Sequence, residues 1–377
     1  MDFDLSWLLW GLPLAFVLGW VASRLDLRQL RIENRQAPKA YFRGLNFLLN
    51  EQQDQAIDAF IEAVQNDPDT SELHFALGNL FRRRGEYERA VRVHEHLLSR
   101  ADLSRADRQR AQHALALDYL KAGLLDRAEE ALRKLEGTAF ESQALLALLA
   151  IYERTRDWAQ ASEIASKLDA SGQGNFSGRQ AHYLCEQAAA LPPDEAEKLL
   201  REAMKIAPAA PRPAIELAAL QRRAGDSASA FRTLARVAQS APGAIPLIAK
   251  PLAEAAAASA QRAQAAEILR GSYGLAPSLD VLEAIVALES DPAVARNWYV
   301  KHLEREPSLV AASKWLAGEK LEHEQFHPRV QSALDHAVKP LTRYRCAACG
   351  FEAKQHFWQC PGCQAWDSYP ARRVEEL

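Results

Sequence analysis

Two Cys-x-x-Cys pairs stand near the C-terminus of this 377-residue chain: Cys346 with Cys349, then Cys360 with Cys363. Two residues between thiols let a tight turn aim both sulfurs at one centre. Two such turns supply the four thiolates of a tetrahedral zinc or iron–sulfur site. The cofactor these residues predict is one metal ion, zinc or iron, bound by Cys346, Cys349, Cys360 and Cys363. With four protein ligands no position stays open for a substrate, which favours a structural ion over a catalytic one. Reduced or redox-active thiols are the other reading. Gly350 follows the first pair, and Pro361 and Gly362 lie inside the second. Glycine is expected there for the positive φ of such turns, and backbone N–H groups should point at the sulfurs. Arg343, Arg345 and Lys354 are placed to offset the negative charge of the thiolates. Phe351, Phe357, Trp358, Trp366 and Tyr369 cannot build much of a core in so short a segment, so the metal should supply folding energy. These aromatics are expected to dock the segment onto the last helices. The fifth thiol, Cys185, reads as a small core residue.

A second constellation, His323-Glu324-Gln325-Phe326-His327, matches the His-Glu-x-x-His pattern of zinc proteases. On one helix its histidines would share a face, with Glu324 as general base. Pro328 follows at once and disfavours that geometry, and no third ligand is evident. A metalloenzyme using this motif, or a redox protein using the four cysteines, is the alternative to a non-enzymatic chain. The sequence shows no nucleophile elbow, phosphate loop or carboxylate pair in a defined context. His94, in "HEH", falls on a repeat packing position.

Charge is nearly balanced, with 46 Lys and Arg against 49 Asp and Glu. Lys339, Arg343, Arg345, Lys354, Arg372 and Arg373 make the tail basic, but acids are interleaved, and no nucleic acid is expected as partner.

The elements that must position the cysteines are helical. The stretch from Tyr41 aligns with that from Phe75 at an offset of about 34 residues, the tetratricopeptide period: Gly44 falls on Gly78, Phe47 on Phe81 and Ala56 on Ala90. The small residue at the helix crossing recurs at Ala56, Ala90, Ala128, Ala161, Ala196, Ala230, Ala265 and Ala295, the last two in degenerate repeats. Gly85, Gly123 and Gly225 mark inter-helix turns. Each hairpin leaves an apolar face that its neighbours must cover, so the units stack into a superhelix with a concave, protein-binding groove. Repeat register turns Tyr41, Leu45, Leu48, Phe75, Asn79, Arg82, Arg83, His113 and Leu117 toward that groove. Arg82, Arg83 and Arg84 also read as a solvated face.

Residues 5–23 carry no charge. Nineteen residues at about 1.5 Å each reach roughly 28 Å, close to a bilayer's ~30 Å of hydrocarbon. Asp2 and Asp4 are wrong for a cleaved signal, which starts basic. Arg24, Arg28, Arg31, Arg35, Lys39 and Arg43 follow, so the positive-inside rule predicts a single-pass anchor with its N-terminus periplasmic and the rest cytoplasmic. The expected architecture is all-α. An anchor (1–23) and a basic juxtamembrane linker (24–38) precede about seven to eight tetratricopeptide helix pairs (39–337), and a four-cysteine metal domain (338–377) closes the chain.

The anchor, the repeats and the closing "YRCAACGF…CPGCQAW" together resemble the lipopolysaccharide assembly protein B (LapB/YciM) family of Gram-negative bacteria. The resemblance covers essentially the whole chain, and its tail is similar to a rubredoxin metal knuckle. It implies that the repeats pack against the metal domain and that the four cysteines are the ligands. It further implies a regulatory adaptor at the bacterial inner membrane, with the membrane-bound protease FtsH and the lipid A deacetylase LpxC as partners. The adaptor would promote degradation of the deacetylase and scaffold other lipopolysaccharide synthesis or transport proteins. A homodimer is left open.

Overall fold

The computed structural model describes residues 13–21, 39–67, 70–319 and 323–377. Of the apolar segment 5–23, residues 13–21 fall within it and form helix. The remainder of that segment and the arginines at 24, 28, 31 and 35 lie outside the described residues. Leu14, Phe16, Val17, Leu18, Trp20 and Val21 on this short helix are all exposed. Among the described residues no helix is long and apolar enough to cross a membrane.

The chain divides into two compact units, meeting between Arg154 and Thr155. The first contains α1 (39–49), α2 (Gln53–Asn66), α3 (Ser71–Arg84), α4 (Tyr87–Ser99), α5 (Arg105–Ala122), α6 (Leu125–Arg133) and most of α7 (Glu141–Thr155). The hairpins are set by how their helices end and how closely they cross. Helix α3 stops at Gly85, φ 82°, where the Gly85 N–H donates to the Arg82 carbonyl and the Glu86 N–H to that of Phe81. That paired closure needs a left-handed residue, which glycine adopts without Cβ strain. Helix α5 ends the same way at Gly123, φ 77°.

At the crossing, Ala56, Ala90 and Ala128 are completely buried. The facing small residues are explained by what they touch. A Cβ on Gly44 would meet the Phe60 ring at 2.9 Å, and one on Gly78 would meet the His94 ring at 2.5 Å. Phe60 and His94 are themselves one repeat apart, so an imidazole occupies the place of a phenyl ring. His94 is fully buried, and its Nδ1–H donates to Asp118 Oδ2 at 2.5 Å. Asp118 in turn accepts from Arg82 Nη1 at 2.8 Å.

The second unit contains α8 (Trp158–Ala170), α9 (Ser177–Ala189), α10 (Pro193–Ile206), α11 (Pro211–Arg223), α12 (Ser227–Ser240), α13 (Ile245–Ala258) and α14 (Arg262–Leu275). It continues with α15 (Leu279–Leu288), α16 (Pro292–Arg305), α17 (Leu309–Leu316) and α18 (His327–Val338). A two-stranded antiparallel ribbon follows, β1 (Tyr344–Arg345) and β2 (Glu352–Ala353), paired Tyr344 with Ala353 and Arg345 with Glu352. The crossing alanines Ala161, Ala230 and Ala265 are again fully buried and Ala196 nearly so. Ala295, in α16, is only half-buried, so the small-residue register fades where the repeats degenerate. Asp157, Asp226 and Ser308 cap their helices through side-chain oxygens that accept from Gln160, Ser229 and Ala311 backbone N–H groups.

Candidate metal centre

The two Cys-x-x-Cys segments fold into matching knuckles. In the first, the Cys346 N–H donates to the Phe351 carbonyl and the Gly350 N–H to that of Cys346, each at 2.9 Å. In the second, the Cys360 N–H donates to the Ala365 carbonyl at 2.9 Å and the Gln364 N–H to that of Cys360 at 2.8 Å. Both knuckles need a left-handed residue four positions after the leading cysteine. Gly350 provides it in the first, φ 77°, but Gln364 provides it in the second, φ 62°. Gly362, expected to do so, does not. A Cβ there would sit 3.4 Å from Phe351, an ordinary contact, so packing does not demand glycine at this position either.

The four sulfurs lie within 4.8 Å of one another. Cys346 and Cys363 are 3.8 Å apart, Cys349 and Cys360 3.7 Å. A tetrahedron with metal–sulfur bonds of ~2.3 Å has edges of about 3.8 Å, so the spacing fits a four-thiolate ion. Cys346 and Cys360 are buried, Cys349 and Cys363 exposed. Burial opposes ionisation of Cys346, but the Ser368 hydroxyl and the N–H groups of Cys349 and Ala348 outweigh it and bring the thiol down to about 6. Burial is likewise outweighed at Cys360, by the N–H groups of Cys363 and Gly362. At Cys349 the Phe351 N–H favours the thiolate, but burial and the other three sulfurs push it up to about 12. Four thiolates therefore share this space only around a cation, and the donor set suits zinc or iron. When bound, the ion would tie both knuckles together and neutralise much of their charge.

Of the cations expected to balance the thiolates, Arg345 instead holds Glu352, with nitrogens 2.8 and 3.0 Å from Oε1, and Arg343 lies 3.7 Å from the same carboxylate.

The segment does not dock on the last helices alone. Its aromatic face meets α8 and α9. Trp366 stacks on His182, centroids 4.8 Å apart, and stands edge-on to Tyr183 and Trp158. His182 Nε2–H donates to the Asp367 carboxylate at 2.9 Å, leaving Nδ1 as acceptor 3.5 Å from Arg212 Nη1. Buried Arg212 is held by Glu186 at 2.7 Å and Glu216 at 2.6 Å. At the far end, Arg373 lies over the Tyr344 ring and grips Asp280 of α15 through two bonds of 2.7 and 2.8 Å. Glu376 accepts from the Leu279 N–H at 2.7 Å, capping α15. Glu375 accepts from Leu309, Val310 and the Ser308 hydroxyl, capping α17. Apart from Arg212 and Glu216, four residues apart on α11, no periodicity or motif marks these partners, because the other contacts join residues remote in sequence.

His323 and His327 do not share a helical face. Glu324–Phe326 is a single 3-10 turn, α18 begins at His327, and His327 Nε2–H donates to the Leu316 carbonyl at 3.1 Å. Cys185 is fully buried, and that burial raises its thiol well above the ordinary range.

The groove candidates separate. Phe75 is not a groove residue. It is buried against Leu97 and Ala111, with the Arg110 guanidinium over its ring. Arg82 is held inward by Asp118, Asn79 and the Ala114 carbonyl. His113 is half-buried and stacks on Phe140, and burial, with Arg82 nearby, holds its pKa below the ordinary value. Tyr41, Leu45, Leu48, Asn79 and Leu117 are half-buried, and Arg83 is exposed.

Residues 344–369 match the family model described as rubredoxin metal binding domain. Among solved structures, a tetratricopeptide repeat protein from Parabacteroides merdae is similar over 67% of this chain and 99% of its own, at 16% identity and a TM-score of 0.36. Lipopolysaccharide assembly protein B of Haemophilus influenzae is 28% identical, covering 95% of this chain and 96% of its own. The protein of the same name from Escherichia coli K12 is 31% identical, covering 97% of this chain and 98% of its own. With both the helical units and the four-cysteine ribbon inside that alignment, this chain belongs to the lipopolysaccharide assembly protein B family.

Proposed function

We propose that this protein is a non-enzymatic adaptor in lipopolysaccharide assembly, tethered to the inner membrane with its helical units and metal ribbon on the cytoplasmic side. The observation that carries this reading is the 31% identity to an assembly protein over 97% of the chain. The charge-free segment 5–23 supports the tether, and the apolar side chains exposed on helix 13–21 agree with a lipid-facing role. In this reading the adaptor brings the deacetylase LpxC to the membrane-bound protease FtsH. Confinement to the protease's own membrane raises effective concentration without any added contact. The partner-facing surface of the first unit includes Tyr41, Leu45, Arg83 and His113, and the ribbon braces the second unit.

Deleting residues 1–23 from the chromosomal copy tests the tether. The shortened chain is expected to fold, leave the membrane fraction and let deacetylase levels rise on immunoblots. Normal deacetylase turnover with the shortened chain removes tethering from the mechanism. Photo-crosslinking from Arg83 in living cells identifies what occupies the groove, and capture of neither protease nor deacetylase there counts against the adaptor surface named.

A further inference from the structure

A cavity of about 530 Å³ opens in the second unit beside the metal ribbon, between α15, α17 and the end of α18. Lys314, Lys339, Arg343, Lys354 and Arg373 line it, against the carboxylates of Asp280 and Glu283. Five cations facing two acids leave an excess of three positive charges. Internal pairing does not remove that excess. Asp280 is fully engaged by Arg373. Glu283 lies 3.6 Å from Lys314, and the carboxylate near Arg343 already accepts two bonds from Arg345. Among the described residues, no ion pair or hydrogen bond engages the ammonium of Lys339 or Lys354.

We infer that this cavity is a binding site for a phosphate-bearing ligand. Like charges held around one concavity repel, and an anion relieves that repulsion where chloride in bulk water only screens it. A phosphomonoester carries roughly −1.5 to −2 charges and three acceptor oxygens, which matches two unengaged ammonium groups and one loosely held guanidinium. The volume suits a small phosphorylated group rather than a nucleic-acid duplex. Lys339 and Lys354 come from different elements, the end of α18 and the turn after β2, so a shared anion would also bridge helix and ribbon.

The source of the phosphate is a soluble ester or a lipid headgroup, and the experiment separates them. Full-length, metal-loaded protein in nonionic micelles is treated with an amine-acetylating reagent, and modification of Lys339 and Lys354 is followed by mass spectrometry. Inorganic phosphate or glycerol phosphate is expected to protect both lysines, while sodium chloride at equal ionic strength does not. Protection only when phosphatidic acid is added to the micelles assigns the site to a lipid headgroup. Lys339→Gln and Lys354→Gln should each weaken phosphate binding about tenfold or more by calorimetry, with metal content unchanged. Four results overturn the site: no protection by any phosphate, equal protection by chloride, unchanged binding in both variants, or loss of metal in them. The last would mean that these cations serve the thiolate centre.

Discussion

His182 Nε2 lies 2.9 Å from Asp367 Oδ1, although 185 residues separate the two in sequence. The contact joins α9 to the loop that leaves the last metal-ligand cysteine, and Trp366 covers it by stacking on the same imidazole. Trp366→Ala is expected to destabilise the second unit by about 2–4 kcal/mol, since a large ring leaves a cavity among Trp158, His182 and Tyr183. Urea unfolding of the metal-loaded protein measures it. Asp367→Ala, which removes an exposed acceptor, should cost only about 1 kcal/mol.

The C-terminal glutamates cap two helices that lie far back in the chain. Removing residues 375–377 strips the glutamate caps from α15 and α17, leaves α17 only its Ser308 cap, and should cost roughly 1–3 kcal/mol in total. Hydrogen exchange should quicken in the first turns of those helices, at Leu279 and at Leu309 and Val310. Unchanged protection there would mean the caps contribute nothing.

Gly78→Ala drives a methyl group into the buried His94 ring, which Asp118 holds in place. The first unit should lose about 1–3 kcal/mol, read as a lowered melting temperature with helicity retained below it. Gly44→Ala meets Phe60 at 2.9 Å rather than 2.5 Å and should cost less.

His74, His113, His302 and His356 are each held below their ordinary pKa of 6.5, chiefly by burial. The unfolded chain therefore takes up protons first as pH falls. Stability from these groups is full above pH 6.5 and declines as the solution is acidified below it. Urea midpoints measured from pH 7.5 down to 5 should show that decline. His302→Gln keeps an acceptor for the Tyr273 hydroxyl, 2.8 Å from Nδ1 in the parent, and should flatten the slope.

Chelation of the ion, or Cys346→Ser, should abolish the near-ultraviolet signal of the ribbon's aromatic residues while far-ultraviolet helicity persists. Coincident loss of both signals would mean that helices and ribbon form one cooperative block.

What was legible in the sequence was what short-range chemistry controls. The cysteine spacing dictated the knuckles, and the alanine register marked the helix crossings until it weakened at Ala295. Glycine turns were legible as well, because a left-handed closing residue has few alternatives. Gln364 was not, since it takes that conformation against its own preference, held by the knuckle's hydrogen bonds. Phe75 lies outside the groove that its register predicts, because repeat register fixes a helical face but not how far a neighbouring helix covers it. The partnerships of His182 with Asp367 and of Asp280 with Arg373 have no local signature at all. They arise only when the end of the chain returns to helices made much earlier.

That return orders events in time. Helices α15 and α17 emerge during synthesis with their first N–H groups bare, and the carboxylates that satisfy them, Glu376 and Glu375, follow 97 residues after Leu279 and 66 after Leu309. Until they arrive, both helix ends are satisfied only by water or by near neighbours. The second unit thus closes late, when a distant segment comes back to seal helices already made.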